Sequence, residues 1–226
     1  YKRQGKTTLL KTLNREIYPV HQENSWVKIL GRERWNVWEL REHIGLVSQD
    51  LQAGFLPTAT ALEAIVSGFF SSVGLHAQLE GHIFREQVEK GESVLAEIGL
   101  EELRDRPFQT LSTGQQRRCL LGRALVHEPD TLILDEPTSG LDLTASFEYL
   151  ARLRQLARQG RSLVLVTHHI SEIPPEIDRV IVLKEGRIVA DGDKQSVLTA
   201  RLLSEVYETA IRLVEQEGHL LVYPGS

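Results

Sequence analysis

Gly5-Lys6-Thr7-Thr8 sets a flexible backbone, a long cation and two hydroxyls in four consecutive residues. This matches the end of G-x-x-x-x-G-K-[ST], in which backbone amides cradle phosphates, the lysine reaches the outer phosphates and the hydroxyl ligates Mg2+. The first glycine of that pattern would fall one residue before Tyr1. Thr131-Leu132-Ile133-Leu134-Asp135-Glu136-Pro137 is a short apolar run that ends in two carboxylates. Such a run suits the middle of a parallel sheet, whose C-terminal strand ends are where ligands bind. One carboxylate there can hold Mg2+ through water, and the other can polarise an attacking water. Ser112-Thr113-Gly114-Gln115-Gln116 has the S-x-x-Q spacing of a capping box, so a helix should start just after Ser112. Its N–H donors and positive dipole end suit a phosphate. Together the three pieces fit the binding and cleavage of a nucleoside triphosphate. Singly, each has a plainer reading: a helix N-terminus with a solvated lysine, an acidic turn, an ordinary capped helix.

In this order, and over nearly the whole chain, the pieces resemble the ATP-binding subunit of ABC transporters. The resemblance extends to Gln49, after Ile44-Gly45-Leu46-Val47-Ser48, which looks like the Q-loop glutamine. Ser139-Gly140-Leu141-Asp142 looks like the D-loop, and His168, after Leu163-Val164-Leu165-Val166-Thr167, like the switch histidine. It implies ATP and Mg2+. Gly5, Lys6 and Thr8 would belong to the phosphate loop, and Thr7, Gln49 and Asp135 would serve the metal. Glu136 would act as base toward water, and His168 would hold the γ-phosphate. Two copies would bind head to tail, with Ser112, Gly114 and Gln115 of one closing on the nucleotide of the other, and Asp142 of the D-loop would be a further nucleotide-binding residue. Three positions depart from the family's pattern: Thr113 and Arg3 stand where glycine is usual, and His169 where Asp often follows the switch histidine.

The implied function is an ATPase that energises a membrane transporter, with separate transmembrane permease subunits, on the cytoplasmic face of the cell membrane. The competing class is a soluble ABC-type ATPase with a regulatory, cluster-assembly or translation-linked role. The interval from Gln49 to Ser112 leaves no room for the long coiled coils of chromosome-maintenance or DNA-repair ATPases. The stretch 196–207 is similar to the tail of metal-chelate importer ATPases.

Composition agrees with one domain. At 226 residues and 41% apolar the chain can bury a sizeable core. No run reaches the roughly 18 apolar residues of a membrane span, and the N-terminal stretch does not read as a signal peptide. The lone Cys119 excludes an internal disulfide, fits a reducing cytosol and reads as a small core residue. A net charge of −5 argues against a general nucleic-acid binder, and no nucleic-acid partner is expected. The sequence has no Met, so residues are expected upstream of Tyr1, including a strand that leads into the phosphate loop. Without that strand, those ending at Asp135 and Thr167 are expected to lack a sheet neighbour.

The elements that must position these residues follow from pattern. Leu9, Leu10, Leu13 and Ile17 recur at helical spacing up to Pro19, and 26–30 reads as a strand before a turn at Gly31. A short helix spans 36–43 and a strand 44–48, and a Gly- and Pro-bearing loop follows at 53–57. Thr60 and Glu63 form another capping box, followed by an apolar helical stripe from Leu62 to Val73. Phe69 and Phe70 on that stripe read as core. Further helices are expected over 84–98, 146–159 and 196–213. Further strands are expected over 162–167 and 220–223, with a hairpin around Glu185-Gly186. The fold class is α/β, a P-loop NTPase core with a mostly parallel sheet and a small antiparallel β part. It forms a single ABC-type ATPase domain over 1–226, N-terminally incomplete, with a helical subdomain at about 53–128.

Overall fold

A computed structural model describes residues 5–20, 22–55, 57–75 and 80–225, apart from the side chains of Gln49, Ala53 and Glu80. Helix α1 (Lys6–Leu13) and helix α2 (Val37–His43) precede strand β1 (Ile44–Val47), and helix α3 (Gln49–Ala53) follows it directly. A helical region comes next, with α4 (Ala61–Val66), α5 (Arg85–Glu97) and α6 (Thr113–Leu125). Strand β2 (Thr131–Asp135), helix α7 (Leu143–Arg158) and strand β3 (Ser162–Val166) complete the α/β core. The chain ends with a hairpin of β4 (Arg179–Lys184) and β5 (Arg187–Asp193), helices α8 (Lys194–Val197) and α9 (Ala200–Tyr207), and a second hairpin of β6 (Ile211–Gln216) and β7 (His219–Pro224).

The central sheet is parallel in the order β1-β2-β3, with Val47 level with Leu134 and Asp135 level with Val166. Strand side chains alternate faces, so β2 feeds two cores. Leu132 and Leu134 pack into the larger one, with Leu62, Ile65, Leu120, Leu121, Tyr149 and Leu153 of the surrounding helices. Ile133 faces the smaller one, with Leu10, Leu40 and Ile44. Cys119 is fully buried in the larger core, and Phe69 and Phe70 pack against it, as the sequence predicted.

Several expected elements differ. Strand β2 has a neighbour on each side, so the expectation that the strand ending at Asp135 lacks one is wrong; among the described residues β1 and β3 are the edges. The 26–30 strand is absent. That segment makes a single bridge, Ile29 to Arg32, around a turn at Leu30 and Gly31, and finds no partner strand among the described residues. Helix α1 stops at Leu13, so Ile17 lies outside it. Helix α4 tightens into a 3-10 turn at Ser67–Phe70 and ends at Ser71, whose φ is 51°. The 53–57 loop begins one residue later, because Ala53 still belongs to α3, and Leu56 lies outside the described residues. Helix α7 begins three residues earlier than expected, because Asp142 caps it through the Ala145 amide at 2.8 Å.

The largest error is the long helix over 196–213. Asp193 caps α8, Thr199 caps α9, and Glu208 ends α9 with φ 55°. Ile211 to Gln216 then pairs with 219–224 around Glu217-Gly218, both at positive φ. Glu185-Gly186 has the same geometry in the first hairpin. Two consecutive positive-φ residues make the type I′ turn that matches strand twist, and glycine accepts it without strain.

Candidate functional site

Gly5 sits before α1 with φ 87°, a conformation that strains any residue with a Cβ, and its carbonyl accepts from the Leu9 amide at 2.9 Å. This turn sets Lys6, Thr7 and Thr8 in the first turn of α1, with both threonines exposed. Lys6 extends toward the C-terminal end of β2, where its Nζ lies 3.8 Å from Glu136 Oε1.

Asp135 is the last residue of β2 and Glu136 the first beyond it. The Glu136 amide donates to the Val166 carbonyl at 2.8 Å, prolonging the ladder with β3 by one bond. The backbone then turns sharply, because Glu136 has φ 46°. A non-glycine residue in that region is strained, and such strain collects at functional sites. The Ser139 amide closes the turn on the Glu136 carbonyl at 3.1 Å. His168 comes in from the end of β3, with Nδ1 2.9 Å from the same Glu136 Oε1 that faces Lys6. The His169 ring lies against the His168 ring, with centroids 3.9 Å apart.

Asp135 is half-buried. Burial pushes its carboxyl above the usual carboxylate range, and the neighbouring Glu136 pushes it the same way, while Lys6 and Arg117 pull it back. A carboxylate pair of this kind is relieved by a hard cation, and the Thr7 hydroxyl and Asp135 are oxygen donors that fit Mg2+. Among the described residues no cluster of three or more His, Cys, Asp or Glu forms a ready metal cage.

Gln49 begins α3 directly after β1, on the same end of the sheet as Asp135 by register, and its side chain is outside the description. Ser112 and Gln115 form the predicted capping box: the Gln115 amide donates to Ser112 Oγ at 3.3 Å, and the Ser112 amide to Gln115 Oε1 at 2.9 Å. Among the described residues the Thr113 and Gly114 amides, at the exposed start of α6, have no hydrogen-bond partner. Lys6, Asp135, Glu136 and His168 are thus brought together in one chain. Among the described residues, Ser112, Gly114, Gln115 and Asp142 make no hydrogen bond or ion pair with that group.

Sequence reasoning missed the ties between these elements. Gln52 of α3 donates to Gln116 of α6 at 2.7 Å, across 64 residues. Lys11 of α1 lies 3.0 Å from Asp50 of α3, and this hydrogen bond holds its ammonium above the usual lysine range. Arg117 of α6 donates to the Ser139 carbonyl at 3.2 Å. No local pattern marks these residues, since each partner is set by the tertiary fold.

The ABC transporter family pattern matches residues 4–139. The chain is 36% identical over 215 residues to the uncharacterized ABC transporter ATP-binding protein YlmA of Bacillus subtilis (strain 168), covering 93% of this chain and 79% of that protein. Among solved structures it is similar to cbiO1 of Clostridium perfringens, part of the ABC transporter complex cbiONQ. That match has a TM-score of 0.68 and 28% identity, covering 91% of this chain and 79% of the other. It is similar too to the dimeric post-hydrolysis state of the ATP-binding cassette MJ0796 bound to ADP and Pi, with a TM-score of 0.64 and 26% identity, covering 84% of this chain and 81% of the other. No helix among the described residues is long and apolar enough to cross a membrane. With the phosphate loop, the paired carboxylates and the parallel α/β core already in place, these likenesses settle the family: the chain belongs to the ABC transporters, as one of their ATP-binding, ATP-hydrolysing domains.

Proposed function

We propose that this chain hydrolyses ATP in composite sites between two copies of itself, and so drives a separate transmembrane permease from the cytoplasmic face of the membrane. The observation that carries the reading is the meeting of Lys6 and His168 on one oxygen of Glu136, beside Asp135. The Lys6 ammonium and the His168 Nδ1 both meet this carboxylate. With ATP in place, Lys6 turns to the outer phosphates, His168 to the γ-phosphate, and Glu136 is freed to take a proton from water. Thr7, Gln49 and Asp135 would hold Mg2+, which supplies charge neutralisation on the phosphates. Gly5 and Thr8 complete the phosphate loop.

The unpartnered amides at the start of α6 support the dimer reading, because they are exposed and built for an anion. Ser112, Gly114 and Gln115 would act on the partner copy's nucleotide, and Asp142 would be a further nucleotide-binding residue. The MJ0796 cassette is a dimer, and cbiO1 is part of a transporter complex; both support this arrangement for the present chain. The whole chain forms one ATPase domain, with residues 53–128 as a helical subdomain whose surface near Gln49 takes the permease.

Ser112→Arg in a Glu136→Gln background tests the dimer. ATP binding to the monomer should persist, while ATP-driven dimerisation, followed by light scattering, should be lost. Normal dimerisation of that variant would reduce Ser112 to a helix cap.

A further inference from the structure

Arg117 is 1% exposed, in the second turn of α6. Among the described residues, one of its five N–H donors is used, by Nη2 on the Ser139 carbonyl at 3.2 Å, while Nε and Nη1 are buried without a partner. Among the same residues, the hydroxyls of Thr138, in the same turn, and Tyr149, on α7, are also buried and unpartnered. Burial pulls the Arg117 guanidinium below its usual range, and Tyr149 and Asp135 act against that. A buried cation with so few bonds weakens a fold, and an apolar residue of similar volume is commonly better tolerated there. Packing therefore does not account for this arginine.

Its single bond does. Ser139 closes the turn on Glu136 through its amide, and Arg117 grips the same residue through its carbonyl. A continuous line of hydrogen bonds thus runs from the helix capped by Ser112 to the strained backbone of Glu136. We propose that Arg117 is a positioning residue that sets the Glu136–Ser139 turn, and with it the base, according to where α6 lies. The proposal rests on the reading of Glu136 as the base and deepens it: a shift of α6 on closure of two copies is passed to the carboxylate through this guanidinium. The line leaves through backbone atoms, so it acts on the placement of Glu136 and not on nucleotide affinity.

Arg117→Met removes the bond and keeps an unbranched apolar stem; Arg117→Lys keeps the charge and part of the reach. Thermal unfolding of Arg117→Met should show a stability equal to or above that of the parent. The KM for ATP should stay within about twofold, while kcat falls about 10- to 100-fold, as for a small misplacement of a catalytic group. Arg117→Lys should recover part of kcat. Amide hydrogen exchange at 136–141 should speed up about tenfold in Arg117→Met, with exchange in β1 and β3 unchanged. Unchanged exchange at 136–141 would overturn the proposal, as would a kcat that falls only in step with the folded fraction. If Arg117→Met does not fold, the exchange and kcat of Arg117→Lys decide the same question. Glu136→Gln measured alongside keeps the two readings apart. Parent-speed hydrolysis by that variant removes the role of Glu136 as base, while the exchange data still report whether Arg117 holds the turn.

Discussion

Glu136 and Glu176 are both carboxylates held between two nitrogen-bearing side chains, and they differ in every other respect. Glu136 stands on a strained backbone at the end of β2, with Lys6 Nζ at 3.8 Å and His168 Nδ1 at 2.9 Å on a single oxygen. Glu176 lies in the segment between β3 and β4, where Arg154 Nε donates to both its oxygens at 3.0 and 2.9 Å and Arg158 Nη2 lies at 2.7 Å. Both arginines come from one face of α7, four residues apart. A planar guanidinium holds a carboxylate in a fixed fork, whereas an ammonium on a flexible stem and an imidazole exchange partners readily. The first cluster is therefore suited to being taken apart by a competing anion. The second is suited to fixing a segment to a helix.

The largest effect that tests this contrast is on rate. Glu136→Gln should lower turnover by about 10² to 10⁴, the contribution of a positioned base, and leave ATP binding in place. Single-turnover hydrolysis at parent speed would erase the difference between the two carboxylates. Next in size is a change to the sheet that carries Glu136. Leu132 is fully buried in the larger core, and Leu132→Ala should cost about 2–5 kcal/mol in chemical denaturation, through lost transfer energy and the cavity left behind. A loss well below that would mean the strand end can relax, and that Glu136 is held less firmly than its backbone implies.

Two helix caps give a smaller comparison within the molecule. Thr60 and Ser112 both form complete capping boxes, on α4 and α6. As caps alone, Thr60→Ala and Ser112→Ala should each cost about 1 kcal/mol of stability. Only Ser112→Ala should also weaken ATP-driven association, measured by light scattering in a Glu136→Gln background. Equal effects on association would leave α6 with nothing beyond its cap.

What was legible in the sequence was what is local. Gly5-Lys6, Asp135-Glu136 and the two capping boxes carry their geometry within a few residues, and the structure places them as the spacing predicted. The parallel sheet followed from an apolar run between helices. The grip of Arg117 on Ser139 and of Gln52 on Gln116 was not legible, because each depends on the packing of elements far apart in the chain. The 196–213 stretch misled because apolar residues at helical spacing continue across Thr199 and Glu208. The cap at one and the positive φ at the other divide it, and the alternation of Ile211 and Leu213 is claimed by pairing with β7. Gly218, two residues past the end of β6, was the signal that could have shown this hairpin.

The smallest effect belongs to Glu176, and pH reads it. Burial raises its carboxyl, but the hydrogen bonds from Arg154 and Arg158 outweigh that and hold it below the usual carboxylate range. A carboxylate depressed in the folded state contributes stability that is fully present above its unfolded value, near the ordinary 4.5, and is lost as pH falls through the folded value. Glu176→Gln should therefore lower stability by less than about 1 kcal/mol at neutral pH, since the arginines keep access to water. It should also flatten the fall in stability below pH 4.5, because the protonating group is gone. Turnover at neutral pH should stay at the parent value, in contrast to Glu136→Gln. Denaturation midpoints across the acid range, beside steady-state hydrolysis, check both halves. An acid limb unchanged by the substitution would show that the arginine fork does not hold Glu176 in solution. A large loss of turnover would show that the segment it fixes reaches the catalytic end of β3, and that the two carboxylates are parts of one device.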